Sequence, residues 1–256
     1  GQFPAAIEAL ENSLELYRQT QNIGQMLGPL VNLGSVYQRV GEYEKGLNAL
    51  KEGFEVSETI KDKRGSAHLL NNIGGILFSL GRLDEATDYF ERCLKLCIET
   101  GYPMVQTSAL LNLAEIGLKQ AAPNLDQIGR WLDEGLAIAE KIEDKQKHAR
   151  AHKLMGDLQL SSSDTIAAWE SYKAGLHIVW QVKAFPVIFE ILTGMGRHQI
   201  EVGQLELATK LLAAVEQADG APQHIKERAK RLSEEHHLPR QSAPNLEELI
   251  ENLLDS

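Results

Sequence analysis

The sequence repeats itself about every 40 residues, and this periodicity constrains the fold more than any other feature. A short pattern that ends in a small residue recurs at steps of 40, 40, 42 and 40, at Asn32-Leu33-Gly34, Asn72-Ile73-Gly74, Asn112-Leu113-Ala114, Leu154-Met155-Gly156 and Gly194-Met195-Gly196. A second series of small and apolar residues follows, with one member downstream of each of these patterns. It contains the same two-residue insertion, which falls in the loop 121–124. Because two registers share one insertion, we interpret the chain as an array of stacked structural units.

Each half-repeat has the periodicity of an amphipathic helix. Residues Leu27, Leu30, Leu33, Gly34 and Tyr37, for example, lie on one stripe with a period of 3.6 residues. Glycines that can adopt positive φ stand seven residues after the motif glycine, where helix C-termini are expected, at Gly41, Gly81 and Gly203. The pattern predicts a helix A, a turn, a helix B and a second turn in every unit, with small residues where two helices cross.

This arrangement of small and large positions resembles the tetratricopeptide repeat (TPR) over about residues 1–219. The unit is longer than the usual repeat of about 34 residues. The repeat is similar to the extended TPR type that occurs in the C-terminal sensor or arm region of bacterial STAND-type signal-transduction ATPases and of maltose-regulator-like transcriptional activators. Peptide-sensing quorum regulators, kinesin light chains and spindle-orientation adaptors share this type. Tyr37 keeps an aromatic residue usual in the family, whereas four equivalent positions depart from it, at Leu77, Gly117, Gln159 and Gln199.

The resemblance implies an all-α, right-handed superhelical solenoid of antiparallel helix hairpins. We expect a leading helix B of a truncated repeat in residues 1–22, five TPR-like hairpins in 23–220, and a tail in 221–256 that consists of a charged helix, a proline linker and a short amphipathic capping helix. Because helix B at residues 1–22 has no helix A of its own, we expect the chain to be a fragment with an upstream domain. Leu249, Ile250 and Leu253 are expected to dock near Leu211 and Leu212.

The charge balance and the cysteine content restrict the partners. The chain has 26 basic and 36 acidic residues and a formal net charge of −10, which argues against binding to nucleic acid or to an anionic membrane. No stretch approaches the roughly 20 apolar residues of a membrane helix. Two cysteines fit a reducing compartment, so the sequence favours a cytoplasmic location.

The sequence offers no set of residues for catalysis. A glycine-rich phosphate loop and a His-Glu-x-x-His pattern are both missing from it. His148 and His152 share a helix face without an obvious third ligand, and Cys93 and Cys97 occupy packing positions. We therefore predict a protein that is not an enzyme and that needs neither a metal nor a cofactor.

The candidate binding residues lie on the inner, concave face that the resemblance assigns to the A helices. Asn32, Asn72 and Asn112 stand two residues before the small motif residue in successive repeats, and an amide can pair with both N–H and C=O of an extended peptide. The alternative is that these amides only bridge neighbouring A helices. The other residues assigned to this face are His68 and a mixed, charged patch that suits a carboxylate, a phosphate or a peptide terminus: Arg150, Lys153, Asp157 and Arg197.

These observations favour recognition of a protein or peptide ligand in the groove. The sequence and the resemblance together predict the ligand-sensing or protein-binding arm of a larger cytoplasmic signalling protein, such as a STAND ATPase or a transcriptional regulator. Two alternatives stay open, namely a constitutive scaffold or adaptor and a peptide-sensing quorum regulator.

Overall fold

Most of the residues that the computed structural model describes, 2–255, are helical. Thirteen α-helices and one short 3₁₀ helix follow one another in this range, without strands. The chain forms two compact units, Gly1–Ile116 and Gly117–Ser256, and the boundary between them falls inside the helix Pro103–Lys119. The boundary between the two units therefore does not coincide with a boundary between two 40-residue repeats. The all-α helical repeat expected from the sequence is confirmed.

The first unit contains five complete α-helices, one 3₁₀ helix and most of a sixth α-helix. They are α1 (Gln2–Gln19), the 3₁₀ helix Ile23–Met26, α2 (Leu27–Arg39), α3 (Tyr43–Thr59), α4 (Lys63–Ser79), α5 (Leu83–Thr100) and the greater part of α6 (Pro103–Lys119). Consecutive helices from α1 to α5 pack against each other, and the A helices α2 and α4 are also in contact. One apolar cluster joins α1, α2 and α3 around Leu14, Leu30 and Leu33.

The second unit contains the remaining helices. They are the end of α6, α7 (Leu125–Lys141), α8 (Lys145–Ser161), α9 (Thr165–Gln181), α10 (Phe185–Glu201), α11 (Leu205–Glu216), α12 (Gln223–Glu235) and α13 (Leu246–Asp255). Its A helices contact each other in sequence, α8 with α10 and α10 with α12. One apolar cluster, centred on Tyr172, Leu192 and Leu212, extends into both tail helices.

A repeated contact between a small and a large residue fixes the crossing of helices A and B. A Cβ atom on Gly74 would lie 2.8 Å from the ring of Phe90, and one on Gly156 would lie 2.7 Å from the ring of Tyr172. The same relation holds between Gly34 and Leu50 and between Gly196 and Leu212. The expectation that small residues allow close helix crossing is confirmed, since any side chain at these glycines would collide with the facing helix.

The turns share one backbone geometry, which the sequence shows only in part. Gly41, Gly81 and Gly203 have positive φ, as expected at the end of helix A. The turns at the end of helix B also have a residue with positive φ, but that residue is usually not glycine: Gln21, Lys61, Gly101, Glu143 and Lys183. At Lys61, the N–H groups of Lys61 and Asp62 donate to the carbonyl oxygens of Glu58 and Ser57, which is the Schellman pattern.

The C-terminal helix α13 covers part of the second unit. Leu249, Ile250 and Leu253 are buried in the apolar cluster that also contains Leu211 and Leu212, and the helix itself contacts α9. Lys183 Nζ lies 3.1 Å from the centre of the Trp180 ring and 3.9 Å from a carboxylate oxygen of Glu247. Burial of these three side chains makes α13 a part of the core of this unit.

None of the helices within residues 2–255 is long and apolar enough to cross a membrane.

Candidate functional site

A cavity of about 280 Å³ opens between α2 and α4, two of the A helices of the first unit. Two residues predicted as ligand-binding, Asn32 on α2 and His68 on α4, line it together. The remaining lining residues come from the same two helices and from the turn before α4: Leu27, Gly28, Val31, Asp62, Gly65 and Leu69. The cavity therefore combines an apolar floor with a few polar groups, which is the usual composition of a recognition site.

The turn before α4 is shaped by a capping interaction. Asp62 is the N-cap residue, and its Oδ1 accepts a hydrogen bond of 2.9 Å from the backbone N–H of Gly65. A Cβ atom at Gly65 would meet only the end of the Asp62 side chain. The cap fixes where α4 begins and therefore where His68 stands relative to α2.

His68 is half-buried, and this burial determines its charge. Desolvation lowers the pKa of His68 below its ordinary value. The ring is therefore neutral at neutral pH and presents one N–H donor and one nitrogen acceptor. Such a ring suits an uncharged polar partner better than an anion.

The three predicted amides differ in their surroundings. Asn32 is exposed and Asn72 is half-buried, and neither side chain makes a hydrogen bond to any described residue. The Asn112 amide donates instead to Oδ1 of Asn71 across 3.3 Å, which links α6 to α4. Asn112 therefore bridges two A helices, as the alternative interpretation expects. The amides of Asn32 and Asn72 make no such bridge and can bind a ligand.

Two of the charged residues predicted to bind a ligand in the second unit form a buried ion pair with each other. Lys153 and Asp157 are 4% and 7% exposed, and Lys153 Nζ donates to Asp157 Oδ2 across 2.7 Å. The other oxygen of Asp157 accepts a 2.7 Å hydrogen bond from the hydroxyl of Tyr172. Burial alone would raise the pKa of Asp157, but Lys153 and the two hydrogen bonds hold it below its usual value. The Lys153 ammonium and the Asp157 carboxylate thus form an ion pair with each other inside the packed helices.

Arg150 and Arg197, by contrast, remain partly exposed. Arg150 lines a separate cavity of about 590 Å³ together with Asp144 and Lys147. Arg197 Nε donates to Glu201 Oε1 across 2.9 Å, one turn along the same helix. Among the basic residues that the sequence analysis predicts to bind a ligand in the second unit, Arg150 therefore borders a cavity.

The histidine and cysteine pairs have ordinary packing environments. The rings of His148 and His152 stack with centroids 5.2 Å apart, and the thiols of Cys93 and Cys97 are free, buried and 3.9 Å apart. Within residues 2–255, no group of three or more metal-ligating side chains comes together.

The sequence analysis missed an amide that already binds an extended segment of this chain. Gln217, at the end of α11, donates from Nε2 to the carbonyl oxygen of Gln241 across 2.8 Å. Its Oε1 accepts a 2.9 Å hydrogen bond from the backbone N–H of Ala243. One side-chain amide therefore pairs with both a C=O and an N–H of the linker before α13. The contact joins residues more than 20 positions apart, so no local sequence pattern could indicate it.

Comparison with known proteins agrees with this architecture. Residues 25–99 match the tetratricopeptide repeat family model. No curated protein sequence matches the chain. Among solved structures, BtubC (BKLC) from P. vanneervenii has a TM-score of 0.67 at 18% identity, covering 96% of this chain and 98% of that chain.

Two further structures are similar in fold. A Rap protein complexed with Competence and Sporulation Factor has a TM-score of 0.66 at 11% identity, covering 91% of this chain and 75% of that one. A crystal structure of putative kinesin light chain TPR-like repeats from Podosopora anserina has a TM-score of 0.56 at 14% identity, covering 82% of this chain and 96% of that one. These findings support a TPR array, a fold that suggests a protein–protein interaction module.

Proposed function

We propose that this chain is a non-catalytic recognition module whose first unit binds an extended peptide segment along α2 and α4. The observation that carries the proposal is the cavity in which Asn32 and His68 meet, with the unbonded amide of Asn72 one helical turn beyond His68. Asn32, His68 and Asn72 are neutral at neutral pH, and the charged lining residue Asp62 caps α4 through its Oδ1, so the best partner for the three neutral groups is the uncharged main chain of a ligand.

The chain's own linker supports this mode of binding. Gln217 holds the backbone of Gln241 and Ala243 with a donor and an acceptor from one amide. Asn32 and Asn72 offer the same two groups to a segment that lies across the A helices. Main-chain recognition of this kind reads little of the ligand's sequence, which suits an interaction module.

The amide substitutions test the proposal. A phage-displayed library of random twelve-residue peptides is selected on the protein, and the best peptide, labelled with fluorescein, serves as the probe. Each lost hydrogen bond weakens binding by about 0.5–1.5 kcal/mol. The double variant Asn32→Ala/Asn72→Ala, which loses one bond at each position, should therefore raise Kd by a factor that lies between about 5 and somewhat more than 100. Asn48→Ala, an exposed amide on the B helix α3, is the matched control.

Asn112 is left out of this variant because its amide already bonds to Asn71. The melting temperature of the double variant should equal that of the unchanged protein, since neither amide makes a hydrogen bond within the described chain. Unchanged peptide binding by the folded double variant would contradict the proposed site and direct attention to Arg150 and its cavity.

We further propose that the module is the ligand-sensing or protein-binding arm of a larger cytoplasmic signalling protein of the STAND ATPase or transcriptional-regulator class, with an upstream domain as its internal partner. The repeat resemblance and two free thiols support this assignment. An antibody against residues 23–220 tests it on cell extracts. A native polypeptide hundreds of residues longer than this chain would agree, whereas one of the same length would favour a free-standing adaptor.

One observation favours a second candidate, a peptide-sensing quorum regulator. The similar Rap structure was determined with Competence and Sporulation Factor bound. At 11% identity this likeness shows only the fold, so the candidate depends on a direct binding measurement. A soluble peptide from the organism's own culture medium that binds with the same dependence on Asn32 and Asn72 would support it.

A further inference from the structure

Most glycines inside the α-helices of this protein have a packing reason, but three do not: Gly28, Gly75 and Gly129. Glycine destabilises a helix interior relative to alanine, so its presence there calls for a cause. At Gly74 and Gly156 the cause is the aromatic ring of the facing helix, which leaves no room for a Cβ atom. At Gly28 a Cβ atom would meet nothing within 4 Å, and at Gly75 only the end of the flexible Gln38 side chain, at 3.9 Å.

Two of these glycines, Gly28 and Gly75, lie on the surface proposed for the ligand. Gly28 lines the cavity with Asn32, which is four residues later on the same face of α2. Gly75 follows Asn72 by three residues on α4, and His68 precedes Asn72 by four, so all three lie on one face of that helix. Helix packing within the described chain therefore does not account for Gly28 and Gly75, and both lie beside amides without a hydrogen bond to the described residues.

We propose that Gly28 and Gly75 set the distance of closest approach in the proposed site, because they let the main chain of an extended peptide approach the backbones of α2 and α4. The inference rests on the proposed function and adds the points of closest contact. An amide on Asn32 or Asn72 is short, so it reaches both N–H and C=O of a ligand only when the ligand lies near the helix surface. A methyl group at either glycine would hold the ligand away from these amides.

The test is the pair of variants Gly28→Ala and Gly75→Ala, measured with the fluorescein-labelled peptide selected from the random library. Each variant should bind the peptide at least tenfold more weakly. Gly75→Ala should melt at the same or a higher temperature, because alanine favours the helix and meets no close neighbour. This combination of a retained or improved fold with weakened binding is not expected of a purely structural residue.

Gly129→Ala is the matched control, because Gly129 lies in the helix α7 of the other unit and its Cβ atom would approach only the Leu158 side chain, at 3.8 Å. It should bind the peptide as the unchanged protein does. Binding within threefold of the unchanged protein for both Gly28→Ala and Gly75→Ala would overturn the inference, and so would a lower melting temperature for Gly75→Ala.

The amide variants separate this result from failure of the proposed function. If Asn32→Ala/Asn72→Ala loses binding while both glycine variants keep it, the site stands and the role of the glycines is wrong. If no peptide is selected, or if the amide variant binds normally, the proposed site and the inference are both wrong.

Discussion

Removal of the buried carboxylate of Asp157 should destabilise the second unit strongly. The variant Asp157→Ala leaves the ammonium group of Lys153, which is 4% exposed, without its partner and the hydroxyl of Tyr172 without its acceptor. Loss of one partner from a buried ion pair costs about 3–5 kcal/mol, because the remaining charge stays in a poorly solvating environment. We therefore expect a loss of this size in the free energy of unfolding.

The chain offers a control with the same spacing. Arg197 and Glu201 also form a pair four residues apart on an A helix, but their side chains are 35% and 38% exposed. Glu201→Ala should cost only about 0.3–0.5 kcal/mol, because solvent screens this pair. Replacement of both buried partners, as in Lys153→Met/Asp157→Leu, should recover most of the stability, since two apolar side chains leave no uncompensated charge.

Urea unfolding followed by tryptophan fluorescence measures these differences directly. The three tryptophans, Trp131, Trp169 and Trp180, all lie in the second unit, so their emission reports the unfolding of that unit. A loss below about 1 kcal/mol for Asp157→Ala would refute the reasoning, because it would place the pair in solvent.

The same pair predicts a dependence on pH. The pKa of Asp157 is lowered in the folded protein relative to about 3.9 in an unfolded chain. Its contribution to stability is therefore fully present above about pH 4 and is lost as the pH falls through the depressed pKa of the folded state. The stability difference between the unchanged protein and Asp157→Asn should be constant from about pH 5 to 8 and should shrink below about pH 4. A difference that persists at lower pH would contradict this assignment.

Three further predictions concern stability. Lys61→Gly should raise the free energy of unfolding by about 0.5–1 kcal/mol, because Lys61 has φ of +58° and glycine adopts that conformation without strain; no gain in a urea titration followed by circular dichroism would contradict it. Ile250→Ala should cost about 2–5 kcal/mol in the tryptophan assay, because Ile250 is fully buried; a loss under about 1 kcal/mol would mean that α13 is detached. Gly156→Ala should cost about 1–3 kcal/mol, because its Cβ atom would lie 2.7 Å from the Tyr172 ring; a neutral effect would show that the crossing of α8 and α9 is loose.

The repeat register predicts the helices well because one physical requirement recurs in every unit. A small residue on helix A must face a large one on helix B, and this leaves a pattern with a fixed period, as at Gly74 and Phe90. Three of the turns after helix A are visible as glycines with positive φ, at Gly41, Gly81 and Gly203, whereas the turn after α8 uses Ser163. The turns after helix B are less visible, because Lys61 and Glu143 adopt positive φ without any change in residue type that marks it.

The repeat register predicts which helices carry the candidate amides, but not the partners of their side chains. The register places Asn32, Asn72 and Asn112 at equivalent positions, yet only the packing of α4 against α6 shows that Asn112 bonds to Asn71. The spacing of Lys153 and Asp157 permits an ion pair, but it carries no information on burial, which depends on neighbouring helices. Long-range contacts of this kind are set by the assembled fold rather than by any segment.

Nuclear magnetic resonance of the side-chain amides tests the central claim, that α2 and α4 bind a peptide main chain, most directly. The NH₂ resonances of Asn32 and Asn72, assigned from the alanine variants, are followed while the library-selected peptide is added. The account predicts that both pairs of resonances shift and saturate with the Kd of the peptide, while the NH₂ resonances of Asn48 stay in place. Shifts confined to residues outside α2 and α4, with Asn32 and Asn72 unchanged at saturation, would contradict it.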